Sequence, residues 1–156
     1  MENTIETKKG TIKIAQERIT YDMYYEFLTR TDLGKQYPKE RFEERITKLL
    51  KNIQISLIAR TEEKDIVGIC FGLTDYSYWL LITDLGVDRN YEKSGIGKEM
   101  MKQARIEAGG SKDIIVFTYA NENAVEFYKK IGMKKSTEMM EQTDIEWTSF
   151  TVGEKI

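Results

Sequence analysis

The stretch LGVDRNYEKSGIGK, Leu85 to Lys98, decides how the chain folds. Its first residues close an apolar, β-branched run that begins at Trp79. Its last residues open a pattern in which Ile96, Met100, Ala104 and Ala108 recur every four positions. A strand therefore runs into a short loop, and the loop into a helix N-terminus. There the backbone N–H groups from about Lys93 to Lys98 lack partners inside the helix, and the helix dipole adds positive potential. Gly95 and Gly97 carry no side chains to hold an anion away, and Lys93 and Lys98 add charge. The same residues also suit an ordinary strand–turn–helix joint whose glycines serve a tight bend. The pattern is not G-x-G-x-x-G, because Met100 stands at the third glycine position, nor is it G-x-x-x-x-G-K-(S/T).

Upstream, Ile55–Arg60, Ile66–Leu73 and Trp79–Val87 read as three strands joined by the polar turns Glu62–Asp65 and Thr74–Ser77, an antiparallel meander. Before them, Thr11–Ala15 alternates as a short strand. Thr20 caps a helix whose apolar face is Tyr21, Tyr24, Tyr25 and Leu28, with Asp22 in its first turn. Gly34 interrupts, Pro38 suits the first turn of a second helix, and Phe42, Ile46, Leu49, Leu50 and Ile53 continue it. Downstream, Gly109-Gly110 stops the helix and Ile114–Thr118 is a buried-strand run. Asn121 reads as the cap of a helix carrying Ala124, Phe127, Tyr128 and Ile131, which Gly132 closes. Residues Ile145–Val152 alternate weakly and read as a last strand or hairpin arm. The order β-α-α-β-β-β-α-β-α-β-β predicts an α/β fold, an α+β mixed sheet with helices on both faces. With one proline, Pro38, and no Gly/Ser-rich linker, residues 1–156 form a single expected domain.

The 24 basic and 26 acidic residues leave a net charge of −2, and charged residues make up 32 % of the chain. That balance gives no general pull toward nucleic acid or an anionic membrane. No apolar run approaches the roughly 20 residues that span a bilayer, and MENTIETKKG lacks the apolar core of a secretory signal. The chain has no histidine, which excludes Ser-His-Asp and Cys-His catalysis and His-ligated metals. One cysteine, Cys70, excludes an internal disulfide or a multi-cysteine metal site and fits a reducing cytoplasm. No metal is expected.

Two segments, Leu85–Lys98 and Asn121–Met133, together resemble the GCN5-related N-acetyltransferase (GNAT) family. Its first motif runs V-x-P-x-x-(Q/R)-x-x-G-x-(G/A), and its later one N-x-x-A-x-x-x-Y-x-x-x-G-(F/M). Val87, Gly95 and Gly97 match the first; Asn121, Ala124, Tyr128, Gly132 and Met133 match the second. The close likeness covers Ile82 to Met133. Arg89 stands where the family has proline, and Glu92 where it has Gln or Arg, so a carboxylate would lie beside a diphosphate.

The resemblance implies acetyl-CoA as co-substrate and an antiparallel N-terminal part whose central parallel strands splay apart. It implies cofactor contacts from Leu85, Gly86 and Val87, from Glu92, Lys93, Ser94, Gly95, Ile96, Gly97 and Lys98, and from Asn121, Ala124 and Tyr128. The implied reaction is N-acetylation of a primary amine of a small molecule or peptide, by direct attack in a ternary complex. Tyr128 holds the family's position for protonating the departing thiolate, although helical spacing alone also suits a core tyrosine. An alkylamine with a pKa near about 10.4 must lose a proton first. Without histidine that falls to a carboxylate, Asp84 first and Asp75 or Glu126 after it. A backbone N–H, Val87 foremost, would stabilise the oxyanion. Asp32, Tyr37, Asp75 and Tyr78 are candidates to line the acceptor side, together with Tyr76 and Trp79. A homodimer is possible. The competing readings are a non-catalytic acyl-CoA-binding or sensing domain, which Glu92 favours, and a nucleotide-binding loop.

Overall fold

The computed structural model describes residues 2–35, 37–110, 112–146, 148 and 150–153. Strands β1 (Glu2–Thr7) and β2 (Gly10–Gln16) form a hairpin, followed by helices α1 (Tyr21–Leu28) and α2 (Phe42–Asn52). Strands β3 (Ile55–Arg60), β4 (Ile66–Thr74) and β5 (Trp79–Val87) make the meander. Helix α3 (Ile96–Glu107), strand β6 (Ile115–Thr118) and helix α4 (Val125–Lys130) complete the order. The six strands lie in sequence order across one sheet, every neighbouring pair antiparallel except β5 with β6. This is the mixed α/β sheet expected, with helices on both faces.

Each face has its own core. On one side Ile96, Met100, Ala104 and Ala108, all fully buried along α3, pack on Ile12, Ile14, Ile55, Leu57, Cys70, Leu80 and Ile82. On the other, Tyr24, Phe27 and Leu28 of α1 and Ile46 and Leu50 of α2 cover Ile58, Ile69 and Phe71. Strands β3 and β4 are buried on both faces, hence their unbroken apolar runs; β5 alternates because one of its faces is largely open.

Three expectations are corrected. A strand over Glu2–Thr7 was missed, since Ile5 is the only apolar residue of ENTIET; the hairpin pairing and Asn3, which bonds Glu99, hold it. The second helix begins at Phe42, not at Pro38: Arg41, in the left-handed region at φ 52°, is its N-terminal boundary. Finally, the described residues of 145–152 form no strand; residues 147 and 149 lie outside the description. Instead the tail crosses to the α1–α2 side, where Lys39 N–H donates to Thr148 O and Phe150 packs edge-on against Phe42. Val152 is buried against the same core.

Gly86 of β5 faces Leu33 and Phe27 so closely that a Cβ there would run into the Leu33 side chain. Gly86→Ala should therefore overpack this contact and cost about 1–3 kcal/mol, read as a lowered midpoint in urea with an unchanged slope.

Candidate active site

The site begins where β5 and β6 part. Their parallel register runs from Trp79↔Ile115 to Ile82↔Thr118, and β6 ends there while β5 continues five residues, Thr83 to Val87, without a β6 partner. The splay is therefore present at the expected strands. Against β4, the register jumps from Phe71↔Asp84 to Gly72↔Ile82, so Thr83 is an inserted residue, a β-bulge. Leu80 and Ile82 face α3, and beyond the bulge so do Leu85 and Val87. The insertion thereby turns Asp84 to the α1–α2 face.

Backbone direction follows from one bond. Asp88 N–H donates to Val67 O at 2.9 Å, on the β4 side. Successive N–H groups of a strand point to opposite sides, so those of Val87 and Leu85 point into the open gap. At the far end of the gap stands the N-terminus of α3. Gly95, its boundary residue, has φ 88° and nothing within 4 Å of a notional Cβ, and no side chain caps the first turn. Lys93 also adopts a positive φ, 59°. Gly97 has a different role: its notional Cβ would lie 3.1 Å from the Phe127 ring, so its lack of a side chain lets α4 close on α3. The Ser94 hydroxyl donates to Tyr91 O and braces the loop. Glu92, Lys93 and Lys98 are exposed.

Tyr128, half-buried on α4, stands at the vertex of the splay. Its hydroxyl bonds Thr118, whose own hydroxyl donates to Ile82 O at 3.1 Å. Thr118 uses its proton there, so Tyr128 donates to it. Burial raises the Tyr128 pKa above 10, against the opposing pull of the Thr118 bond; Cys70 and the Asp84 charge add to the rise. Its helix starts one residue after Ala124, and Asn121 caps the turn before it: Asn121 Oδ1 accepts from Ala124 N–H at 3.0 Å. Gly132, with φ 99°, ends the helix as Met133 N–H bonds Tyr128 O.

Asp84, 4 % exposed, sits across the sheet from α3. Tyr37 Oη donates to its Oδ1 at 2.5 Å, Thr83 Oγ1 to its Oδ2 at 3.0 Å, and Tyr24 and Tyr37 hydroxyls lie 2.8 Å apart. Burial first, then Tyr37 and the Asp84 charge, holds the Tyr24 phenol well above its ordinary range. Cys70 is fully buried, and its thiol is likewise pushed up, chiefly by desolvation.

The acceptor candidates divide. Tyr37 meets Asp84. Asp32 is exposed and accepts from Arg89, near the C-terminal end of β5. Asp75 and Tyr78 are not brought to the gap: they lie in the β4–β5 turn, at the opposite end of β5 from Leu85. There Asp75 Oδ1 accepts from the Ser77, Tyr78 and Trp79 amides, which lower its pKa, so it shapes the turn and is no base. Glu126 is an exposed member of an i,i+3 pair with Lys129.

Sequence reasoning missed Thr83, Thr118 and Tyr24. It also missed what Arg89 does. In the family's proline position, the Arg89 guanidinium donates to Thr29 O and Thr31 O and pairs with Asp32, tying the loop after β5 to the end of α1.

Among the described residues no group of three or more metal-ligating side chains occurs, and no helix is long and apolar enough to cross a membrane. A family model described as acetyltransferase (GNAT) family matches residues 20–133. Solved structures of similar fold include a GNAT family acetyltransferase protein from Streptococcus pneumoniae, 19 % identical over 93 % of this chain and 100 % of that one, TM-score 0.63. Glucosamine-6-phosphate N-acetyltransferase from Arabidopsis thaliana is 16 % identical over 86 % and 99 %, TM-score 0.60. A transcriptional regulator from Bacillus halodurans is 20 % identical over 85 % and 99 %, TM-score 0.61. At these identities the structures speak for the fold alone.

Proposed function

Because the chain belongs to the acetyltransferase (GNAT) family, we propose that it moves an acetyl group from acetyl-CoA to a primary amine of a small molecule or peptide, by direct attack with both partners bound. The observation that carries this reading is the convergence of three features on one gap: an uncapped helix N-terminus, an unpaired strand edge, and a protonated tyrosine at the vertex.

The residues present fit acetyl-CoA. Gly95 is open, and the first-turn amides of α3 suit a diphosphate. The Leu85 and Val87 backbone groups suit the amides of a pantetheine arm, as an added strand would. When bound, acetyl-CoA supplies a thioester carbonyl for the amine to attack. Leu85 N–H stands nearer than Val87 N–H to the Ile82–Thr118 rung where Tyr128 sits, so we assign the oxyanion bond to Leu85 in preference to Val87. Tyr128 gives its proton to the departing sulfur. Asp84 takes the amine proton, through the Tyr37 hydroxyl that already donates to it. Cys70, buried, takes no part, and the reducing cytoplasm is the expected setting.

A second reading, a non-catalytic acyl-CoA-binding domain, draws on Glu92, exposed at the mouth of the loop. Thiol release from acetyl-CoA across a panel of primary amines, with calorimetry of coenzyme A binding, separates the two. Turnover supports the enzyme; binding without turnover supports the second reading; no heat at millimolar ligand overturns both. Gly95→Val, which forces a β-branched residue into the left-handed region, should weaken coenzyme A binding by about tenfold.

A further inference from the structure

Beyond the bulge, the α1–α2 face of the sheet carries a shelf that the helices do not cover. The register pairs Leu73 with Leu81, Leu81 with Phe117, and Trp79 with Ile115, which puts all five side chains on that face. Their burial is incomplete: Trp79 is 48 % exposed, Leu73 44 %, Leu81 37 % and Ile115 47 %. Trp79 and Phe117 stack, their centroids 5.5 Å apart and their planes 18° from parallel. None of the five bears a charge. The next outward-facing groups along β5 are Thr83 and Asp84 with its Tyr37 partner, so the shelf is continuous with the group assigned to take the amine proton.

We infer that the shelf binds the body of the acceptor, and that the acceptor is a primary amine carried on an aromatic or branched-alkyl group without carboxylate or phosphate. This rests on the acyl-transfer reading above. A sheet surface left apolar next to a polar reaction centre gains free energy only when covered. A flat hydrocarbon or ring covers it by stacking on Trp79 and Phe117. An anionic acceptor would find no cation among these side chains, and would stand beside the Asp84 carboxylate. The amino end, in contrast, points toward Asp84 and Tyr37, and a cationic approach is favoured there.

The test is calorimetry on the whole protein saturated with coenzyme A, titrated with 2-phenylethylamine, ethanolamine and glucosamine 6-phosphate. The expected result is 2-phenylethylamine bound about tenfold or more tighter than ethanolamine, with glucosamine 6-phosphate weakest. Trp79→Ala and Leu81→Asp, both at half-exposed positions, should each erase most of that preference and leave ethanolamine unchanged. Equal affinity for the two amines overturns the inference. So does a preference for the phosphorylated sugar, or a preference that survives both substitutions. So does a self-associated protein that Leu81→Asp renders monomeric while amine preference is absent, which would assign the shelf to a second copy. Selective binding of 2-phenylethylamine to a protein that binds no coenzyme A would sink the transferase reading and leave the shelf standing; acetylation of amines without apolar preference would do the reverse.

Discussion

Replacing Tyr128 with phenylalanine should lower kcat by about 10²–10⁴-fold, the range for loss of a positioned general acid. Acetyl-CoA affinity should stay within about twofold, because the ring remains packed and only the hydroxyl is lost. The bond to Thr118 is replaced by nothing, but Thr118 keeps its own partner at Ile82 O, so the vertex of the splay holds. Single-turnover measurement of thiol release reads the chemistry apart from binding. The pH profile carries a second signature. Burial raises the Tyr128 pKa, so the phenol keeps its proton through neutral and mildly alkaline solution. In the native protein, the loss of rate from this group should begin only above about pH 10, the ordinary tyrosine value. A kcat unchanged in Tyr128→Phe would remove Tyr128 from the reaction.

Asp84→Asn should cost about 10²-fold or more in kcat and flatten the acidic limb of the rate profile, since the amide keeps the shape but cannot take a proton. Tyr37→Phe interrupts the same route one atom earlier. If the amine proton passes through Tyr37 to Asp84, the double variant should be about as slow as the worse single one, whereas independent roles would multiply. Thermal melting of both variants controls for the buried network: a matching loss of stability with an unaltered pH profile would make Asp84 a support for the α1–α2 connection and no base. The two outcomes differ in the acidic limb, which packing alone does not move.

Much of this arrangement was legible in the residues. The ends of β3 and β5 and the α3 stripe were read correctly because apolar period and turn residues agree there. Three failures have distinct causes. β1 has too little apolar content to announce itself and forms because β2 offers an edge to pair with. Over 145–152 the weak alternation misled: Phe150 and Val152 are spaced as in a strand, but they are buried against α2 and the α1–α2 connection without ladder bonds. Asp75 and Tyr78 were assigned to the acceptor side by residue type, which says nothing about which end of a strand they occupy. The bulge, in contrast, left a trace that went unread. The α3-facing residues run 80, 82, then 85, 87, a phase slip of one residue at Thr83-Asp84. That slip is what carries Asp84 to the opposite face from Tyr128's helix, and it is why the two groups assigned to protons approach from different sides of the sheet.

The Arg89 clamp has a consequence for the order of events. One guanidinium grips Thr29 O and Thr31 O, and its own backbone leads through Tyr91 and Ser94 into the α3 turn. The segment that follows Thr31 is the one that brings Tyr37 to Asp84. Seating a polyanion at the α3 turn therefore stiffens, through a single side chain, the wall against which the amine must rest. Such a linkage favours compulsory sequential addition, with the thioester first and the nucleophile second, over random entry.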